Sequence, residues 1–363
     1  MNRRRVIALL AALAAPGGAR RARAAAARDG EVVPGRPLRF PRDHGAHPGY
    51  RIEWWYVTGW LDAQDDAGPL GFQITFFRAR AGGDYANPSR FALRQILFAH
   101  AALADPRVGR LLHDGRAARD ALGLAGAAEE GCDAWIDDWR LAQTARGYRG
   151  RIAAREFSLA LDFAAADGVL LHGAGGVSRK GARAHEASYY YSRPQMAVQG
   201  EIEQTGRRRA VRGSAWLDHE WSSSYLPPEA VGWDWLGINL SNGGALMLFR
   251  MRSSSGGTHY AGGTLSASDG RVRRFAPREI DFEPLRRWRS PRSGVEYPVA
   301  LRVAAAGREW RIEPLMDDQE LDARASTGTI YWEGAVRVYQ GQGASEVGRG
   351  YLELTGYWRP LKL

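Results

Sequence analysis

Short runs of aromatic and other apolar residues, broken by turn-forming residues, recur along most of this chain. Residues 51–61 run Arg-Ile-Glu-Trp-Trp-Tyr-Val-Thr-Gly-Trp-Leu, and the turn chemistry of Asp65-Asp66-Ala67-Gly68-Pro69 separates them from an apolar run at 70–78. That arrangement predicts a β-hairpin. Residues 95–103, 135–142, 148–154 and 157–163 read as further strands, spaced for a barrel or sandwich rather than for βαβ units. An Ala-rich stretch at 114–130, with charges at helical spacing, predicts a short surface helix. In the second half, 233–240 and 245–252 flank Ser241-Asn242-Gly243-Gly244, where Asn-Gly supplies the positive φ of a tight hairpin turn. Strands follow at 258–266, 270–275, 299–304, 310–314, 329–339 and 350–357. Pro227-Pro228 reads as a linker between two β-units of about 190 and 135 residues, each long enough for a small barrel with its own core.

The N-terminus follows another pattern. Arg3, Arg4 and Arg5 precede an apolar run at 6–15, too short to span a bilayer, and Ala22-Arg23-Ala24 and Ala24-Ala25-Ala26 are small-residue cleavage motifs. Residues 1–27 are expected to be an export signal of twin-arginine character, followed by domains at 28–224 and 225–363. The expected location is periplasmic or secreted. No run of 18 uninterrupted apolar residues predicts a membrane span in the mature chain.

Composition sharpens this picture. The 363 residues are 45% hydrophobic and 25% charged, with 44 Gly, 13 Trp and 14 Tyr, which fits a β-rich globular protein. The formal charge is +10, but residues 1–27 hold six Arg and no acid, so the remainder carries +4. No basic block with interleaved aromatics follows, so nucleic acid is not an expected partner. The single Cys132 excludes an intrachain disulfide. His44, His47 and His219-Glu220 lack metal-ligand spacing, so neither a metal nor another cofactor is expected.

The richest chemistry lies at 216–221. As a strand, this segment puts Trp216, Asp218 and Glu220 on one face and Leu217, His219 and Trp221 on the other. Two carboxyls on a face lining an apolar cavity raise each other's pKa, and a carboxylic acid kept neutral is a general acid. Asp218 is therefore expected to donate a proton to an alkene or leaving group, with Glu220 orienting water. Trp216, Tyr189, Tyr191, Trp54 and Trp55 are expected to hold the ligand and stabilise a carbocation through their π faces. Glu53, flanked by aromatics, is either a functional acid or the partner of Arg51 or Arg78. His219 with Ser222, Ser223 or Ser224 is the nucleophilic alternative, and His100 reads as a core histidine.

Several segments together resemble one family. They are His47-Pro48-Gly49-Tyr50 leading into Glu53-Trp54-Trp55-Tyr56, Phe98-Ala99-His100, Tyr189-Tyr190-Tyr191-Ser192-Arg193-Pro194, the block from Gly213 to Trp221, and Gly232-Trp233-Asp234-Trp235. From about residue 45 to the C-terminus the chain resembles the AttH-like secreted proteins, relatives of carotenoid 1,2-hydratase. The resemblance implies an all-β chain of two lipocalin-like, calycin-type β-barrel domains in tandem, with an apolar ligand. The hydratases of that family add water to a terminal isoprenoid double bond with a His and a Trp two residues apart and, downstream, a Tyr and an Asp two residues apart. Matching positions here are Tyr189, Tyr191, Trp216 and Asp218, so only the Asp is kept. The expected function is hydration or hydrolysis of a lipophilic small molecule. The alternative is a non-catalytic carrier associated with ABC transporter components.

Overall fold

The computed structural model describes residues 29–63, 68–81, 87, 89, 92–166 and 168–362. The expected export signal lies outside the described residues. Apart from two three-residue 3-10 turns, at Arg42–His44 and Pro277–Glu279, every regular element among the described residues is a strand.

The first sheet takes β1 (Ile52–Ala63), β2 (Pro69–Arg80), β3 (Gln95–Ala104), β4 (Leu111–Arg119), β5 (Ala125–Ala127), β6 (Asp133–Ile136) and β7 (Trp139–Thr144). It continues with β8 (Gly147–Ala153), β9 (Phe157–Ala164), β10 (Leu170–Leu171), β11 (Val177–Arg179), β12 (Ala187–Gln204) and β13 (Arg207–Ser222). The second sheet takes β14 (Ala230–Leu240), β15 (Ala245–Ser253), β16 (Thr258–Ser266), β17 (Val272–Phe275) and β18 (Ile280–Arg289). Its remaining strands are β19 (Glu296–Ala305), β20 (Arg308–Pro314), β21 (Glu320–Ala323), β22 (Thr329–Gln340) and β23 (Glu346–Leu354). The chain crosses from one sheet to the other between Ser222 and Ala230, through Pro227-Pro228.

Within the first sheet the order is β4-β3-β2-β1-β13-β12-β9-β8-β7-β6-β5, with β10 and β11 added to β12; in the second it is β17-β16-β15-β14-β23-β22-β20-β19-β18, with β21 added to β22. Each sheet curls until its ends meet: β4 comes against β5 and β6, and β16 against β18. The result is two barrel-like units of 13 and 10 strands, larger than the eight-stranded lipocalin barrel. β12 and β13 are the longest strands of the first sheet, of 18 and 16 residues. Pro194 cannot donate to the ladder, the β12–β13 register shifts between Arg193 and Met196, and Gln195 takes a φ of 58°, so one long hairpin bends through the sheet.

Two elements differ from the sequence-based expectation. Residues 114–130 form no helix: β4 pairs with β3 along its length, and exposure alternates residue by residue from Gly115 to Arg119. A full ladder of cross-strand hydrogen bonds outweighs the helix propensity of alanine, worth only tenths of a kcal/mol per residue (about 0–0.7). The single strand expected at 135–142 is a hairpin, β6 and β7, turned at Asp137, whose φ is 53°.

Each sheet wraps its own core, the first around Trp55, Phe72, Trp139 and Trp221, the second around Trp310, Trp332 and Leu352. A third apolar cluster lies between the sheets and joins Trp60, Tyr190 and Trp216 to Trp235, Phe249 and Tyr351. Hydrogen bonds cross the same contact. Trp60 Nε1 donates to Gly350 O (3.0 Å), Trp235 Nε1 to Tyr190 OH (2.9 Å), and Asn239 Nδ2 to Ala215 O (3.0 Å). At Gly71 a Cβ would lie 2.6 Å from Ala335 Cβ and 2.7 Å from Tyr351 OH, so the absence of a side chain there lets β2 approach the second sheet.

Candidate functional site

β1, β12 and β13 lie side by side in the middle of the first sheet, and strand alternation divides their side chains between two environments. Trp55, Tyr189, Tyr191 and Trp221 enter the core of the first sheet. Tyr56, Tyr190 and Trp216 face the second sheet, with Trp54 packed against the same cluster. The antiparallel register sets this division: Tyr190 is opposite Glu220, Tyr191 opposite His219 and Ser192 opposite Asp218. The expected grouping around Asp218 is corrected accordingly. Trp216, Trp54 and Glu220 share its side of the sheet, whereas Tyr189, Tyr191, Trp55, His219 and the Glu53 carboxyl lie on the other. Tyr190 and Ser192 take the places expected for the two neighbouring tyrosines.

On the inner side Glu53 is the hub of a closed polar network. Its Oε1 is 2.7 Å from His47 Nδ1 and 2.9 Å from His219 Nε2, and its Oε2 accepts from His47 N (2.8 Å) and Arg78 Nε (2.9 Å). His47 Nε2 reaches Asp43 (3.2 Å), and His219 Nδ1 reaches Tyr191 OH (3.1 Å). Burial opposes charge on Glu53, but Arg78, His47 and the hydrogen bonds of the two imidazoles outweigh it and hold the carboxyl well below its ordinary pKa. Burial lowers His219, while for His47 the carboxylates of Glu53 and Asp43 outweigh burial and raise it. His47, Glu53 and His219 offer ligand atoms within 4.8 Å of one another, a zinc-type donor set. Those atoms are engaged with one another at hydrogen-bond distances, and Arg78 already neutralises the carboxylate. The cluster fits an internal ion-pair network rather than a metal centre. His219 is also not joined to the nearby serines, since Ser222 Oγ donates to Ala187 O.

On the outer side lies a cavity of about 290 Å³ between the sheets. Asp218 and Glu220 line it from the first sheet, Glu353 from the second, among Trp54, Tyr56, Tyr225, Trp233 and Trp235. Asp218 Oδ1 accepts hydrogen bonds from Ser192 Oγ and from Trp216 Nε1 (2.6 Å), and Oδ2 from Tyr190 OH (2.7 Å). Burial pushes Asp218 up to about 7, against the pull of these three donors and with a contribution from the charge of Glu220. Glu220 forms an ion pair with Lys180 (2.7 Å) and accepts from Ser188 Oγ; burial raises its pKa and Lys180 opposes the rise. Trp233 Nε1 donates to Glu353 Oε2 (2.8 Å). Burial lifts Glu353 to about 7, with Asp218 and Glu220 adding to the rise. Next to it in the ladder, Glu333 accepts from Tyr56 OH and is raised well above the carboxylate range, first by burial and then by Glu353.

Sequence reasoning missed Lys180, Tyr190, Ser192 and Glu353. Lys180 carried one signal, being one of only two lysines in the chain. It is buried within 4.2–5.0 Å of the ring centroids of Phe249, Tyr190 and Tyr225. Lys180→Met is expected to leave Glu220 buried without its cation and to cost about 3–5 kcal/mol at neutral pH. The Glu220 pKa would then stand further above its unfolded value, so the folded state binds more protons and stability falls as pH rises. Urea unfolding at several pH values would show a penalty that shrinks toward acid. A penalty independent of pH would mean that Lys180 acts by packing alone.

The AttH-like family pattern matches residues 31–357. A Nitrosomonas europaea chain solved at 2.00 Å as a candidate AttH is 47% identical, with a TM-score of 0.84 over 90% of this chain and 99% of its own. Kievitone hydratase from Nectria haematococca gives a TM-score of 0.67 at 12% identity over 91% and 98% of the two chains, a likeness of fold. CghA with Sch210972 gives 0.50 at 12% identity over 84% and 89%. No curated protein matches the sequence. The family pattern and the 47% identity both extend over nine-tenths of the protein, and the chain belongs to the AttH-like family.

Proposed function

We propose that this protein hydrates or hydrolyses a lipophilic small molecule bound between its two sheets, by carboxyl acid–base catalysis centred on Asp218. The observation that carries the reading is the cavity itself: ionisable carboxyls set among aromatic rings, two of them, Asp218 and Glu353, raised to about 7. A group with a pKa near the working pH transfers protons in either direction. Protonation of an alkene produces a carbocation, which the π faces of Trp54, Tyr56 and Trp235 would stabilise, and water then adds to it. Protonation of a leaving group would serve hydrolysis through the same groups. The name of kievitone hydratase, which shares the fold, agrees with this chemistry.

In this reading 28–224 and 225–363 act as two domains closing on the ligand. The setting is the periplasm or the cell exterior, where the ligand or its product would be handed to ABC transporter components. No described helix is long and apolar enough to cross a membrane. The test is uptake of label from isotopically labelled water into an added isoprenoid alkene such as geraniol, compared between the wild type and Asp218→Asn. Native mass spectrometry of the purified protein would show which ligand travels with it.

A further inference from the structure

Building on that acid–base reading, we infer that Glu353 is the proton donor of the cavity and that Asp218 is its ionised partner. The hydrogen bonds assign the roles. Trp216 Nε1 can only donate, and it donates to Asp218. The oxygen of Tyr190 takes a hydrogen bond from Trp235 Nε1 (2.9 Å), which leaves its own proton for Asp218. Ser192 Oγ adds a third donor. A carboxylate accepts all three as they stand, whereas a proton on Asp218 would require Ser192 Oγ to turn and accept, donating instead to His172 Nε2 at 2.6 Å. Glu353 meets a single donor, Trp233 Nε1 on Oε2. Its Oε1 makes no hydrogen bond among the described residues, and part of the side chain is open to the cavity.

The surroundings favour a proton on Glu353. Glu333 stands directly opposite it across β22 and β23, but its own carboxyl is raised well above the carboxylate range and adds no charge there. Asp218 and Glu220 face it from β13. Lys180 is paired with Glu220, and Glu53, Tyr56, Arg78, His100, Tyr225, Tyr331 and Lys362 complete the titratable lining. In the forward step the O–H bond of Glu353 breaks and its proton forms a C–H bond with the alkene π pair. Water forms the C–O bond at the resulting cation and gives its proton to the Asp218 carboxylate. The product is an alcohol, nothing is oxidised or reduced, and the proton returns from Asp218 to Glu353 through water.

Infrared difference spectroscopy across the neutral pH range tests the assignment in the full-length protein. Gln at 353 keeps an oxygen for the Trp233 hydrogen bond, so Glu353→Gln should fold, which melting temperatures would check. Wild type is expected to show a protonated-carboxyl stretch that fades as pH rises, and Glu353→Gln to lack it. Asp218→Asn should retain the stretch but lose it at lower pH, because a negative neighbour has been removed. A stretch kept in Glu353→Gln and lost in Asp218→Asn would place the proton on Asp218 and overturn the inference, as would a stretch unchanged in both. Turnover of geraniol in labelled water tests the underlying reading separately. Both variants are expected to lose about 10²–10⁴ in rate. Equal turnover in all three proteins would remove Asp218-centred catalysis, while the infrared result would still locate the proton.

Discussion

Asp218→Asn is expected to lower turnover by about 10²–10⁴ and also to weaken the fold. The first effect follows from loss of an ionisable group in the cavity. The second follows from the hydrogen bonds that Asp218 accepts. Asp218 accepts from Ser192, Trp216 and Tyr190, and an amide offers an N–H₂ group in place of one accepting oxygen. Whichever way it turns, at least one donor meets another donor. If the nitrogen takes the Oδ2 position it confronts Tyr190, whose oxygen already accepts from Trp235. An unsatisfied buried group costs about 1–3 kcal/mol. Turnover measured well below the melting temperature separates the two effects. A variant that melts lower but turns over at the wild-type rate would make Asp218 a structural residue only.

Glu53→Gln is expected to destabilise the fold by about 3–5 kcal/mol, as much as Lys180→Met. Arg78 and Glu53 are both fully buried, and removal of the carboxylate leaves the guanidinium uncompensated. The pH dependence has two arms. Because the folded pKa of Glu53 is depressed, its contribution is present above the unfolded carboxyl pKa of about 4.3 and is lost as pH falls toward the folded value. Because the folded pKa of His47 is raised, its contribution is complete below the unfolded value of about 6.5 and is lost as pH rises through the folded one. Glu53→Gln removes the main partner behind both shifts, so its stability profile should be flatter at each end. Urea midpoints across pH would show this. A loss under about 1 kcal/mol would mean that the network behaves like an exposed ion pair.

The strands were legible where local pattern and tertiary role agree. The hairpin of β1 and β2, the Asn-Gly turn between β14 and β15, and the division of residues 216–221 between two faces all follow from alternation and turn chemistry. What alternation cannot supply is register between distant strands. In Tyr189-Tyr190-Tyr191 any of the three rings satisfies a strand pattern, and only pairing with β13 decides that the middle one meets Asp218. Glu353 was hidden for a similar reason. Between Leu352 and Leu354 it reads as a polar position on the solvent side of a strand, but that side of β23 is covered by the first sheet. Glu53 and His219, 166 residues apart, meet through the ladder of β1 and β13. The Ala-rich segment at β4 failed in the opposite direction, because its composition favours a helix that edge pairing overrides.

Asp218 and Glu353 reach the cavity from different sheets, so their separation is fixed by how the two halves dock rather than by any strand. Trp60, whose indole N–H is held by Gly350 O three residues before Glu353, acts as a spacer in that docking. Changes at such contact positions, remote from the ligand, would alter the gap between the two carboxyls and hence how readily they exchange a proton. Relatives that share both carboxyls but differ along this seam would then differ in rate and pH optimum while presenting the same reactive groups, a route by which drift in packing retunes chemistry without touching it.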